Sequence, residues 1–135
     1  MARTTWSQKM DKPPAPVVKP LDRRFAGHHP GELMLISTPR TIQARVRRLR
    51  PGTAITIAEL RDRLASSADA DFTCPLSTGI FLRIVAESAL DDMRTGSSTD
   101  EITPFWRAIE PDSALASKLS CGPAFIARQR ARESS

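Results

Sequence analysis

Cysteine and histidine carry most nucleophilic and metal chemistry in proteins, and this chain of 135 residues contains two of each. Cys74 stands beside Pro75 near an expected helix start, a setting that lowers the pKa of a thiol. Cys121 lies far along the chain, and His28 and His29 are adjacent to each other and distant from both cysteines. This spacing fits neither a zinc site nor a CxxC pair, and we expect no metal, no disulfide and no cofactor. Cys74 is the one candidate nucleophile, and a structural cysteine is the alternative.

The charge balance favours a polyanionic partner. Lysine and arginine number 20 against 15 aspartate and glutamate, which gives a net charge of +5. Such a surface attracts nucleic acid through neutralisation of phosphates and release of counterions. No apolar run reaches the roughly 18 residues that span a bilayer, and residues 1–10 do not resemble a secretory signal. We therefore expect a cytoplasmic protein with no membrane contact.

The N-terminal residues have the composition of a disordered tail. Residues 1–24 contain four prolines and six lysines and arginines, with few large apolar side chains. Prolines at this density oppose helix formation, and little apolar surface is left to offset the entropy of ordering. The sequence predicts a disordered basic tail over residues 1–24 and one folded domain over residues 25–135.

Within that domain the clearest signals are helix starts. Thr38 followed by Pro39 predicts a helix that ends at Pro51-Gly52, and Thr56 with Glu59 forms a capping box at the start of a second. A third helix is expected from Pro75 to Met93 and a last one from Gly122 to Glu133. Short extended pieces are expected at 33–36, 53–57 and 102–109. The fold class predicted is mainly α, a winged-helix-like helix-turn-helix domain with short β segments.

Four stretches of the chain together resemble a known family. The chain is similar to the DNA-binding domain of the alkylguanine-DNA alkyltransferases, and most similar to bacterial alkyltransferase-like relatives that lack the acceptor cysteine. The resemblance extends from Leu21 to Glu133, and the stretches that carry it are residues 31–40, 49–52, 73–81 and 103–107. It implies a winged-helix-like fold, duplex DNA as partner and a link to the recognition or repair of alkylated DNA.

The same resemblance implies that alkyl transfer is lost. Active members of the family carry a Pro-Cys-His-Arg motif, which reads Pro104-Phe105-Trp106-Arg107 here. The cysteine attacks as its thiolate and the histidine helps to form it. Neither a phenylalanine nor a tryptophan ring can replace them, so no catalysis is expected at this position.

Two further departures concern base flipping, by which the family extracts the damaged nucleotide. Ile57 stands where the family has a tyrosine, and Leu76 stands where it has the arginine that fills the vacated stack. A leucine can still act as a wedge in a minor groove. The resemblance therefore implies DNA binding and leaves lesion recognition open.

The predicted DNA contacts lie on two helices. On the third helix they are Ser77, Thr78 and Gly79, which could contact phosphates or serve close helix packing, and Arg83, which could contact DNA or pair with Glu87. On the first helix they are Arg47 and Arg48.

The family's acceptor motif gives four further candidates, which correspond to its acceptor pocket: Pro104, Phe105, Trp106 and Arg107. Phe105 and Trp106 are a base-stacking platform or part of the core, and Arg107 is expected to brace the segment through hydrogen bonds.

The function predicted from the sequence is non-catalytic DNA binding. Two alternatives remain open. One is a protein-interaction module on the same fold, and the other is an alkyl-accepting repair enzyme that uses Cys74.

Overall fold

The computed structural model describes residues 4–13 and 15–134. In chain order, its regular elements are α1 (Trp6–Lys9), β1 (Val17–Pro20), β2 (Leu33–Ile36), α2 (Pro39–Arg47), α3 (Ile57–Ser67), β3 (Phe72–Thr73), α4 (Pro75–Arg94), a 3-10 turn (Phe105–Arg107), α5 (Ala114–Lys118) and α6 (Gly122–Ser134). The predicted class, mainly helical with short strands, is confirmed. None of the described helices is long and apolar enough to cross a membrane.

Local capping chemistry explains where α2 and α3 begin. The Thr38 hydroxyl accepts a hydrogen bond from the backbone of Thr41, and Pro39 occupies the first turn of α2. At α3, Thr56 and Glu59 cap one another's backbone reciprocally, as the capping box predicts. The turn after α2 needs Gly52, whose φ of +89° is strained for any other residue.

The sheet has the order β1-β2-β3. β1 and β2 pair antiparallel through a hairpin, whereas β2 and β3 pair in parallel. Parallel neighbours need a crossover, and α2 and α3 supply it. The predicted strand at 33–36 is confirmed as β2.

The prediction of a disordered N-terminal tail is wrong for the described part of that segment. Thr5 and Gln8 form a capping box at the start of α1, and Met10 is only 1% exposed. Trp6 and Met10 pack against the main core. β1 pairs with β2, so the predicted domain boundary at residue 24 falls within the connection between two paired strands. Order here comes from packing against distant elements, which composition does not reveal.

α4 is the central helix of the core. It packs against α1, α2 and the 3-10 turn, and from Leu82 to Leu90 all its residues except Arg83 and Ser88 are buried. Glu87, which is 3% exposed, accepts hydrogen bonds from the backbone and hydroxyl of Ser120. The middle of α4 is therefore buried, and the first turns and the last turn of the helix reach the surface.

Two predicted extended segments are not strands. In segment 53–57, Ile55 donates a backbone hydrogen bond of 2.7 Å to the Arg107 carbonyl, but no ladder follows. Segment 102–109 contains the 3-10 turn, which Pro104 precedes. All three strands come before α4, and no strand follows it in the described part of the chain.

Candidate nucleic-acid interface

The first two turns of α4 expose two large apolar side chains. Leu76 is 66% exposed and Ile80 is 61% exposed. They are four residues apart and so lie on one side of the helix. Pro75 occupies the first turn of α4 and starts the helix where the short strand β3 ends. We call Leu76, Ser77 and Ile80 the α4 tip.

Cations and an indole ring stand next to the α4 tip. A groove of about 370 Å³ between α1 and α4 is lined by Trp6, Lys9, Lys12, Pro13, Ile80, Phe81, Arg83 and Ile84. The Lys9 ammonium lies 4.4 Å from the centroid of the Trp6 ring, and the Arg83 guanidinium carbon lies 5.6 Å from it. The α4 tip and α1 therefore form one surface that is apolar at its centre and positively charged at its edge.

Of the three residues predicted at the start of α4, two are accessible. Thr78 is fully buried and its hydroxyl donates to the Cys74 carbonyl at 2.7 Å, so its predicted contact with DNA is wrong. Ser77 and Gly79 are partly exposed. A Cβ added at Gly79 would meet nothing within 4 Å, so close packing does not require glycine there.

Arg83 does not form the pair with Glu87 that was one of its two predicted roles. Its expected partner Glu87 faces the interior and is held by Ser120, so the i,i+4 pair is absent. Instead the guanidinium lies over Trp6, and its Nε has no hydrogen-bond partner among the described residues. Arg83 thus joins α4 to α1 and places a positive charge next to the α4 tip.

The segment aligned with the acceptor motif lies in the core. Phe105 is fully buried, with its ring centroid 5.5 Å from that of Trp106 and 5.9 Å from that of Phe125. Trp106 is 2% exposed. Of the two roles considered for these rings, the core role is confirmed, and Pro104 is buried with them.

Arg107 braces this segment, as expected. It donates to both carboxylate oxygens of Glu133 and, at 2.7 Å, to the Leu49 carbonyl. The two side chains of the ion pair are only 13% and 16% exposed. Burial is the largest single effect on the pKa of Glu133 and raises it. The hydrogen bonds and charge of Arg107, together with smaller contributions from Trp106 and the Gly52 backbone, outweigh burial and hold that pKa below its ordinary value.

The Arg107–Glu133 pair forms one wall of a cavity of about 460 Å³, which we call the paired cavity. Its lining contains cations and carboxylates together: Arg47, Asp100, Arg107, Arg132 and Glu133. Arg47, predicted as a DNA contact, lines this cavity.

Arg48, the neighbouring predicted contact, faces a different surface. A groove of about 330 Å³ between α2 and α3 is lined by Arg45 and Arg48, with Leu35 and Leu64 among its apolar walls. Burial, and then the charges of Arg48 and of Arg63 on α3, lower the pKa of Arg45. We call the surface that Arg45 and Arg48 line the arginine groove. Arg63 is not part of its lining, but its charge reaches Arg45 from α3. The i,i+3 spacing of Arg45 and Arg48 is visible in the sequence, but the approach of Arg63 is not.

The candidate nucleophile lies in an apolar setting. Cys74 is 7% exposed and packs with Met34 and Phe72, and both cysteines are free. His28 stacks on Phe72 at a centroid distance of 3.6 Å, and its Nδ1 lies 2.9 Å from a Glu32 oxygen. Within residues 4–13 and 15–134, no three histidine, cysteine or acidic side chains form a group that could hold a metal ion.

Comparisons with known proteins give no match: no family model, no curated protein and no solved structure corresponds to this chain. The assignment of a function therefore depends on the surfaces described above.

Proposed function

We propose that this protein binds duplex DNA through the α4 tip and catalyses no reaction on it. The observation that carries the proposal is the exposure of Leu76 and Ile80 beside the cations of α1 and Arg83. Architectural and repair proteins insert apolar side chains between base steps while cations hold the flanking phosphates. Leu76 and Ile80 provide the apolar component and Arg83 the cation, all within two helical turns of α4.

The net charge supports the same partner. A charge of +5 adds an attraction for phosphates that does not depend on sequence. Lys9 and Lys12 line the groove next to the α4 tip. Their attraction for phosphates therefore turns the exposed apolar side chains of the α4 tip toward the duplex.

The family resemblance supports a fold of the winged-helix type. In this proposal α2, α3 and α4 are the three helices, with α4 as the helix that meets DNA. A winged-helix domain has a β-hairpin, the wing, after its recognition helix, whereas all three strands here come before α4. In this proposal α1, which packs against α4, flanks the DNA contact in place of a wing.

The absence of catalysis is proposed from the chemistry of the aligned motif. Phe105 and Trp106 have no nucleophilic atom and no base, and their rings occupy core volume. Cys74 is enclosed by Met34 and Phe72, so a DNA lesion has no direct path to its sulfur. We propose that binding depends on DNA shape and backbone charge and needs no flipped base.

A second candidate function is supported by the groove between α1 and α4. Trp6 and Phe81 give it an aromatic wall that suits an apolar peptide side chain. A protein partner held mainly by apolar contacts would bind with little dependence on salt, whereas DNA binding weakens by about 0.9 log units per phosphate contact for each log unit of salt.

The test is a fluorescence anisotropy titration of a labelled duplex over a series of salt concentrations. We expect affinity to fall steeply with salt and to fall about tenfold or more in the double variant Leu76→Ser, Ile80→Ser, because two apolar contacts are removed. Val17→Ser is the matched control, since Val17 is 50% exposed but lies on β1.

Two arms of this titration separate the alternatives. A duplex with an alkylguanine should bind as tightly as the unmodified duplex, and tighter binding would make the protein a lesion sensor. No binding at low salt, or equal affinity for the double variant and wild type, would contradict the proposal.

A further inference from the structure

The arginine groove has positive charge without a counter-charge. Within the described residues, Arg45, Arg48 and Arg63 make no ion pair with any carboxylate and no side-chain hydrogen bond. The Nε of Arg45 is buried and has no hydrogen-bond partner. No carboxylate is among the residues that line the groove.

This arrangement of arginines is electrostatically unfavourable. Arg45 and Arg48 are one helical turn apart, where like charges repel, and Arg63 adds a third positive charge from α3. A buried N–H donor without an acceptor loses its hydration and gains nothing in exchange. An anion bound at Arg45 and Arg48 removes the cost of repulsion, because it neutralises their charge.

The walls of the groove narrow the class of anion. Leu35, Leu64 and Ala68 form an apolar floor, and the lining also contains the hydroxyl residues Thr41 and Ser67. A volume of about 330 Å³ is much larger than an inorganic ion needs. The groove is therefore suited to a ligand with a phosphate at one end and a flat, weakly polar group at the other.

We propose that the arginine groove binds the phosphate of a nucleotide, with the guanidinium groups of Arg45 and Arg48 on the phosphate and the base against Leu35 and Leu64. Guanidinium groups suit this role because their planar donors match phosphate oxygens in pairs. The site is separate from the α4 tip and does not depend on the proposed binding of DNA there. The nucleotide is either free or part of a strand.

The experiment is isothermal titration calorimetry of the whole chain with three probes: adenosine 5′-monophosphate, inorganic phosphate and adenosine. We expect the monophosphate to bind more tightly than either of the others. Arg45→Gln should weaken its binding about tenfold, since it removes a charge-assisted hydrogen bond. Arg63→Gln should weaken it less, since it removes only a nearby positive charge. Arg47→Gln, on the other side of the same helix, should leave it unchanged.

Thermal unfolding without ligand separates a binding role from a structural one. Arg45→Gln and Arg63→Gln should unfold at the wild-type temperature or above it, because each relieves repulsion. A lower unfolding temperature for both variants would assign these arginines to the fold and would contradict the proposal.

Other outcomes also overturn it. If inorganic phosphate or adenosine bound as tightly as the monophosphate, the groove would not be a nucleotide site. If both variants bound the monophosphate as tightly as wild type, the site would lie elsewhere.

A competition experiment with a labelled duplex distinguishes the two sources of the nucleotide. Displacement of the duplex by adenosine 5′-monophosphate indicates that the groove takes a nucleotide of a strand, and simultaneous binding indicates a free nucleotide. Because calorimetry uses no DNA, loss of the duplex-binding proposal would leave this result intact.

Discussion

Two regions on opposite sides of α2 are both rich in arginine, but their arginines have different partners. In the paired cavity, Arg107 is bound to Glu133 and to the Leu49 carbonyl, and Asp100 also lines the wall. In the arginine groove, Arg45 and Arg48 share a surface with no carboxylate at all. Arg47 and Arg48 are neighbours in the chain, yet one lines the first region and the other lines the second.

The difference teaches what an arginine-rich helix can and cannot indicate. A guanidinium with an internal partner holds segments of the fold together, here the 3-10 turn, the end of α2 and α6. A guanidinium without one stays available to an anion from outside. The number of arginines in α2 does not tell a structural arginine from one that can bind a ligand. Only the residues that surround each arginine in the fold distinguish the two.

The largest effect is expected from breaking the paired cavity. Arg107→Met leaves the Glu133 carboxylate with no cation and the Leu49 carbonyl with one donor fewer. We expect the free energy of unfolding to fall by about 3 kcal/mol, measured by urea denaturation. Arg48→Met, the same change in the arginine groove, should cost less than about 0.5 kcal/mol. If both variants lost the same free energy of unfolding, the proposed difference between the two regions would be wrong.

Acid should reduce the stability that the Arg107–Glu133 ion pair of the paired cavity contributes. The arginine groove, which has no carboxylate, should show no such loss. The pKa of Glu133 is lowered in the folded protein, so its contribution to stability is complete above the ordinary value of 4.5 and is lost as the pH falls through the folded value. Unfolding of wild type and Glu133→Gln should therefore be compared from pH 6 downward. The difference in stability between them should shrink below about pH 4.5. A constant difference would show that the carboxylate is not ionised in the folded state.

A carboxylate placed in the arginine groove should give its arginines an internal partner, as Glu133 does for Arg107 in the paired cavity. Ala44 is exposed, lines the groove and lies four residues before Arg48, the favourable order for an acid and a base on a helix. Ala44→Glu should abolish binding of adenosine 5′-monophosphate in calorimetry while it changes stability by no more than about 0.5 kcal/mol. Ala44→Gln has nearly the same size without the charge and should retain binding.

The smallest effect is expected from the removal of the charge of Arg63, which lies outside the lining of the groove and acts on Arg45. Arg63→Gln should leave the free energy of unfolding unchanged or raise it by about 0.3 kcal/mol in phosphate-free buffer, since it relieves repulsion on Arg45. Addition of salt should reduce that gain through screening. A loss of more than 1 kcal/mol would indicate that Arg63 has a structural partner.

The sequence was sufficient where the controlling chemistry is local. Thr38 and Thr56 predicted the starts of α2 and α3, because capping hydrogen bonds form within four residues. It was insufficient for α1, whose order depends on the packing of Met10 and on contacts between Trp6 and α4. Composition registers the prolines of that segment but not its distant neighbours.

The candidate sites follow the same division. Arg107 was placed correctly because the aligned motif marked it, although its partner Glu133 lies 26 residues away. Arg83 was paired with Glu87 by helix spacing alone, and the buried position of Glu87 overturned that pairing. The arginine groove needed the relative placement of α2 and α3, which no spacing within either helix supplies.

The most direct test of the account is an NMR titration of the labelled protein with an unmodified duplex at low salt. We predict amide shift changes at residues 76–80 and at Lys9 and Lys12, and none at Arg107 and Glu133 in the paired cavity. Changes confined to the paired cavity, or no changes at any residue, would contradict the account.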